Sequence, residues 1–211
     1  MSLIRFIFKK KIVFQKSYIF IEGFIPKKFK RLLHNINSFN PSCKILYFSK
    51  KENLEEIDNI IRNYPSTIMI AKYSKNKNKS RLIIKKNLRN MSISLEILEF
   101  TLYFSKVFFG NADKWSRPIF MFEPIFDQRP ELKTFKLLIS SFFNSKTKDH
   151  KIHPYFDHIL AFFYINTKII FRVYQISKKK KEKINEKSKN LNQLIEIGPR
   201  LKFKIEKFQI G

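Results

Sequence analysis

Glycine is scarce and cysteine nearly absent, with four and one respectively in 211 residues. So few glycines leave no evident Gly-rich loop in which the backbone could approach a nucleotide phosphate closely. The lone Cys43 excludes an intramolecular disulfide and a cysteine-based zinc cluster, and it is compatible with a reducing compartment. Acidic residues are also short, only 17 Asp+Glu, too sparse for the clustered carboxylates of a two-metal centre. No apolar run reaches the roughly 18–20 residues of a membrane span. The best candidate, Ile159 to Tyr174, is interrupted by Asn166, Lys168 and Arg172. The opening MSLIRFIFKKK is too short an apolar run for a signal peptide. It is acid-poor up to Glu22, as a mitochondrial presequence would be, but Ser17–Ile21 already reads as core strand.

What is present is positive charge and apolar bulk. Lys+Arg number 43, giving a net charge of +26. Phe, Ile, Lys and Asn are all over-used, the bias of an A+T-rich genome, yet such a bias does not by itself remove carboxylates. Surfaces normally mix both signs, so this imbalance points to a polyanionic partner, nucleic acid or an anionic membrane. With 44% hydrophobic residues the chain is too apolar for a disordered tail, and its length suits one domain or two fused halves.

The periodicities predict an α/β order. Ser17–Ile21 reads as a strand. Pro26 suits the first turn of a helix, and Phe29, Leu32, Leu33 and Ile36 follow at helical spacing with Lys27, Lys28, Lys30 and Arg31 between them. Cys43–Phe48 is a second strand, and Leu54, Ile57 and Ile61 mark a second amphipathic helix. Thr67–Tyr73 and Arg81–Lys86 are strands joined by the polar turn Ser74–Ser80, whereas Ile93–Phe109 is apolar and hard to type. After a loop at Gly110–Trp115 the cycle restarts: strand Pro118–Phe122, a turn through Pro124, and a helix from Pro130 carrying Leu132, Phe135, Ile139 and Phe142. His158–Ile165 and Lys168–Ile176 form a hairpin around Asn166-Thr167. Ser177–Asn190, with seven Lys and two Glu, reads as a solvated linker. Leu194–Ile197 and Leu201–Phe208 then suggest two last strands around a tight turn at Gly198-Pro199. Both halves open with a strand and a Pro-led helix, which hints at duplication.

The chemistry expected is binding. Asp157-His158 is the one pair with a catalytic look, but neighbours on a strand point to opposite faces, and a buried structural His is the better reading. No metal site and no cofactor are expected. Lysine and arginine neutralise phosphates, and aromatic rings beside them can stack on unpaired bases, although most of the 24 Phe belong to the core. The run Lys178, Lys179, Lys180, Lys181 is either a polyanion contact or a solvated loop.

Three stretches carry a resemblance: Ser116-Arg117-Pro118 running into Ile119–Phe122; Tyr155-Phe156-Asp157-His158-Ile159 followed by Lys168–Ile176, FRVYQI included; and Leu194-Ile195-Glu196-Ile197-Gly198-Pro199-Arg200. In order and spacing they resemble the Brix-domain family, specifically from about Ser116 onward and diffusely before it. The sequence departs from the family pattern at Ile170, where a Trp is usual, and at Val173, where an Asn is usual. The family's glycine-rich continuation and basic extension do not follow before Gly211.

The resemblance implies an α/β (α+β) fold of two similar halves, mixed sheets with packed helices, akin to an anticodon-binding domain. It implies a single domain over 1–211, with an N-terminal half 12–110, a C-terminal half 116–211 and a Lys-rich insert 177–190. It also implies a non-enzymatic nucleolar factor that binds precursor rRNA of the large subunit beside other assembly factors, with no membrane or small-molecule substrate. A basic organellar ribosomal protein is the alternative. The cations assigned to RNA are Lys27, Lys28, Arg31, Arg117, Lys168, Arg172, Lys178, Lys179, Lys180, Lys181 and Arg200. For Arg200 a structural pair with a glutamate competes with phosphate contact.

Overall fold

The computed structural model describes residues 16–40, 42–48, 66–86, 90–103, 107–108, 110–113, 116–144, 156–177 and 193–210. The helix expected around Leu54–Ile61 and the lysines 178–181 lie outside the described residues.

Strand β1 (Lys16–Glu22) leads into helix α1 (Lys27–Ser38), then β2 (Lys44–Phe48), β3 (Ser66–Ser74), β4 (Lys79–Lys86) and β5 (Met91–Thr101). The chain continues through β6 (Arg117–Phe122), a short helix α2 (Ile125–Gln128), α3 (Pro130–Phe143), β7 (Phe156–Ile165), β8 (Lys168–Ser177), β9 (Gln193–Glu196) and β10 (Arg200–Gln209). Helix α1 buries Phe29, Leu32, Leu33 and Ile36, the stripe its sequence spacing requires. Pro26 stands one place before the first turn, at the cap, where its carbonyl accepts the Lys30 N–H at 2.9 Å. The first part of the untyped apolar stretch, up to Thr101, belongs to β5, eleven residues with Met91, Ile93, Leu95 and Ile97 buried. The Asn166-Thr167 turn has φ of 49° and 62°, the paired left-handed conformation of a two-residue hairpin.

Among the described residues ten strands join one sheet, ordered β2-β1-β3-β4-β5-β10-β8-β7-β6, with β9 also paired to β8. Outward from the β5–β10 seam the two sides repeat: β5, β4, β3, β1 on one, and β10, β8, β7, β6 on the other. On each side the outer pair is parallel (β1 with β3, β6 with β7) and the inner pairings are antiparallel. The seam itself is antiparallel from Arg200↔Thr101 to Gln209↔Ser92, broken by two bulges.

One core spans the seam. Ile19, Ile21, Met69, Leu82, Ile84 and Leu95 share a cluster with Phe162, Phe171, Leu201 and Phe203, and with Phe135, Leu138 and Phe142 of α3. The rings interlock at 4.7 Å (Phe122–Phe162) and 5.0 Å (Phe162–Phe171). Helix α3 belongs by sequence to the second half but ties its last turn to the first. Buried Ser17 Oγ and Asn40 Nδ2 both donate to the Phe142 carbonyl, at 2.8 and 2.6 Å. That carbonyl is one of the helix-end acceptors with no intrahelical donor, so the two side chains satisfy it and lock the halves together.

The last two strands correct the sequence reading. β9 and β10 do not turn back on one another. β9 pairs with residues 174–177 of β8 and β10 with residues 169–171, both antiparallel, so the chain runs on in one direction. Ile197, Gly198 and Pro199 form a bulge in this run, with the Ile197 N–H bonded to the Val173 carbonyl at 2.9 Å. Gly198 has φ of +69°, and the Gly198-Pro199 bond is cis.

Candidate nucleic-acid interface

The cations of α1 follow from its amphipathic pattern. With Phe29, Leu32 and Leu33 turned to the core, Lys27, Lys28, Lys30, Arg31 and His34 are left exposed. The first turn contains no acidic residue, and Pro26 offers no side-chain cap. Beside this face, α1 and the end of β5 enclose a groove of about 670 Å³ lined by Lys28, Arg31, His34, Asn35, Phe100, Thr101 and Leu102. The Lys28 ammonium lies 5.2 Å from the centre of the Phe100 ring. Asn35, buried at the groove floor, accepts the Tyr103 N–H at 3.0 Å and holds the chain leaving β5 against α1.

Arg172 and Arg200 stand elsewhere. Phe171 and Leu201 face the helices, so their strand neighbours Arg172 and Arg200 face the other side of the sheet. There Glu196 lies between them. Arg200 donates to it through Nε and Nη2, both at 2.7 Å, and Arg172 Nη1 donates at 3.1 Å. Partial burial alone would raise the Glu196 carboxyl, but the Arg200 hydrogen bond and both guanidinium charges hold it below the ordinary glutamate value. The Arg200 guanidinium also lies 5.2 Å over the Phe108 ring. Lys168 is half-buried at the start of β8, and Arg117 is exposed at the start of the edge strand β6. The eleven candidate cations therefore do not form one patch. Lys27, Lys28 and Arg31 share a surface, Arg172 and Arg200 share a glutamate, and Lys178–Lys181 lie outside the described residues.

Asp157 and His158 are brought together despite their strand alternation, which corrects the expectation that they cannot share a site. His158 Nδ1 contacts Asp157 Oδ1, and Ser116 Oγ contacts the same carboxylate and lies 3.0 Å from Nδ1. The Asp113 N–H donates to the second carboxylate oxygen. This gathers the three residue types of a serine hydrolase in a different arrangement. Proton relay needs the acid on one imidazole nitrogen and the nucleophile on the other. Here both use Nδ1, while Nε2 is buried with no hydrogen-bond partner among the described residues. Burial pushes the His158 imidazole below its ordinary value, and the ring packs 5.4 Å from Phe39. The cluster anchors the loop before β6 to the start of β7. Cys43 is buried as well, and its thiol is pushed far above the usual range by desolvation.

With this geometry in place, comparison with known proteins is decisive for the family. The model of the Brix domain matches residues 24–207. The chain belongs to the Brix-domain family. Similar curated proteins include the ribosome biogenesis protein BRX1 homologue of Dictyostelium discoideum, 38% identical over 98 residues, 46% of this chain and 28% of that protein. The ribosome biogenesis protein BRX1 of Saccharomyces cerevisiae is 35% identical over 95 residues, 44% of this chain and 32% of that protein. The matched segment thus spans about a third or less of these relatives' own length. Among solved structures, a probable ribosomal biogenesis protein from Aeropyrum pernix K1 superposes with a TM-score of 0.52 at 9% identity, covering 90% of this chain and 96% of that one. The Brix fold is thus shared with a protein of very different sequence.

In this chain the closing stretch Glu196–Arg200 is the bulged strand with its arginine–glutamate network, and the Asp157-His158 stretch is a loop anchor. The groove residues His34, Asn35, Phe100, Thr101 and Leu102 were not singled out in the sequence. Lys28, Arg31 and Asn35 are spaced as one helical stripe, a signal that was legible. The approach of Phe100 was not, because it depends on where β5 ends against α1.

Proposed function

We propose that this Brix-domain chain is a ribosome biogenesis factor that binds precursor rRNA during assembly of the large subunit. The observation that carries the reading is the α1 surface, with Lys27, Lys28, Lys30 and Arg31 exposed on a helix whose first turn has no acid. Cations at a helix N-terminus oppose its dipole, at about 0.3–1 kcal/mol each. A surface kept basic against helix stability suits a polyanion, whose phosphates release counterions when neutralised. Relatives named as ribosome biogenesis proteins support the same reading. It carries with it a nucleolar location, other assembly factors as neighbours, and binding rather than catalysis. It also takes the chain as one domain, with halves at 12–110 and 116–211 and the lysine-rich insert 177–190 as a further RNA contact.

The test is RNA affinity measured across a salt series. For the wild-type chain, log affinity should fall linearly with log salt. Neutralising Lys27, Lys28 and Arg31 to Gln should lower affinity and reduce the slope by about 2, at roughly 0.7 per single-strand phosphate contact. An unchanged slope refutes the α1 assignment. A pulse-chase sedimentation profile separates a transient factor, which leaves before mature subunits form, from a permanent ribosomal protein.

A further inference from the structure

The groove between α1 and the end of β5 combines two chemistries that a simple phosphate-binding surface does not need. One is cationic: Lys28 and Arg31 with His34 on the helix side. The other is aromatic and polar: the Phe100 ring and the Thr101 hydroxyl on the strand side, with the Asn35 amide of α1 facing them. A duplex presents phosphates outward and keeps its bases stacked inside, so it would engage only the cationic rim. A run of acidic side chains has the charge but no planar ring to set against Phe100. An unpaired nucleotide has both parts, a π-face for the ring and a phosphate for the cations. Lys28 lies over one face of Phe100, so a base stacking on that ring displaces the ammonium or takes the opposite face, and either way the flexible lysine stays within reach of its phosphate.

We propose that this groove takes one unpaired nucleotide of a single-stranded RNA segment, its base against Phe100 and its phosphate between Lys28 and Arg31. The proposal rests on the RNA-binding reading above and adds a preference to it: the chain selects single-stranded over duplex RNA through this groove.

The experiment compares a single-stranded oligonucleotide and a duplex of equal length on the full chain, by fluorescence anisotropy. The wild type is expected to favour the single strand. Phe100→Leu keeps apolar volume but removes the π-face. It is expected to weaken single-strand binding about tenfold, leaving duplex affinity and salt slope unchanged. Arg31→Gln should weaken both and flatten the slope. An oligonucleotide carrying 5-iodouridine, irradiated with the unmodified protein, should crosslink within residues 28–35 or 100–103, a readout that does not depend on the Leu variant folding. Equal loss of single-strand and duplex binding in Phe100→Leu, crosslinks confined to other regions, or equally effective competition by a polyglutamate peptide would each overturn the nucleotide groove while leaving RNA binding standing. Absence of binding to either RNA would instead overturn the functional reading itself.

Discussion

Replacing Gly198 by alanine probes the bulge that joins β9 to β10, and the structure separates its cost into two parts. The first is conformational. At φ of +69° an L-residue meets its own backbone, a penalty of about 1–2 kcal/mol. The second is steric. The three nearest atoms to a Cβ built on Gly198 all belong to the Phe108 ring and lie well inside contact distance, so the ring must move. Phe108 is half-buried beneath the Arg200 guanidinium, and its displacement breaks that stacking at about 0.5–1 kcal/mol. Together Gly198→Ala should destabilise the fold by about 1.5–3 kcal/mol. At about 2–4 °C per kcal/mol for a chain of this size, the melting point should fall by about 3–12 °C. Differential scanning calorimetry on Gly198→Ala, Phe108→Ala and the double variant closes the cycle. The steric part should disappear in the Phe108→Ala background and the conformational part should remain. A Gly198→Ala protein that melts with the wild type would refute both the positive φ and the ring contact.

Three further outcomes follow from other parts of the molecule. Glu196 has a folded pKa below its ordinary 4.5, so its contribution to stability is complete above that value and is lost as pH falls through the folded one. Glu196→Gln should therefore flatten the pH–stability curve below about 4.5, while Arg200→Ala, a partly exposed pair, should lose only about 0.5–1 kcal/mol with the RNA affinity of the folded chain unchanged. Deleting Lys178–Lys189 leaves three residues between Ser177 and Gln193, which are directly paired, and three residues suffice for a hairpin loop. That deletion should keep the melting point and weaken RNA binding; an unfolded product would show that the insert is part of the core. His158 is buried with its imidazole below the ordinary 6.5, so the unfolded chain takes up the proton first and stability should decline as pH drops below about 6.5. His158→Ala removes one of the three partners of the Asp157 carboxylate, which keeps Ser116 Oγ and the Asp113 N–H, and should lose about 1–3 kcal/mol, seen by chemical denaturation, and a sequence-specific RNA cleavage lost in this variant would overturn the structural role.

Where local pattern decides, the fold was legible. The short apolar run Ser17–Ile21, the two β runs set two residues apart around Asn166-Thr167, and the 3–4 spacing of Phe29, Leu32, Leu33 and Ile36 are all local signals, and each element stands where its pattern put it. Met91–Thr101 was harder because charged Glu96 and Glu99 interrupt the apolar run. Their partners, Lys79 and Lys202, come from the two neighbouring strands and are invisible before the sheet is assembled. The Gly198-Pro199 dipeptide illustrates the same limit from the other side. Its residue types announce a change of backbone direction but not its sign. Only the pairing of both flanking segments with β8 shows that the chain kinks and runs on.

The candidate interface was readable in proportion to how local it is. A basic helical stripe on α1 needs no tertiary information, since burying Phe29 and Leu33 leaves Lys28 and Arg31 outside. Arg172 and Arg200 look equally available in the sequence, twenty-eight positions apart, yet β8 brings both onto Glu196. A guanidinium held by two 2.7 Å bonds must give up that pairing before it can hold a phosphate, and its net gain from RNA is correspondingly small. The acidic residues thus shape the interface by subtraction. Glu22, Glu96, Glu99, Glu196 and Glu206 each pair with a cation of the sheet: Lys72, Lys79, Lys202, Arg200 and Arg81. Among the described residues no such pair falls on Lys27, Lys28 or Arg31. Among the described residues, the helix beside the groove is therefore a surface whose cations no carboxylate of the sheet neutralises.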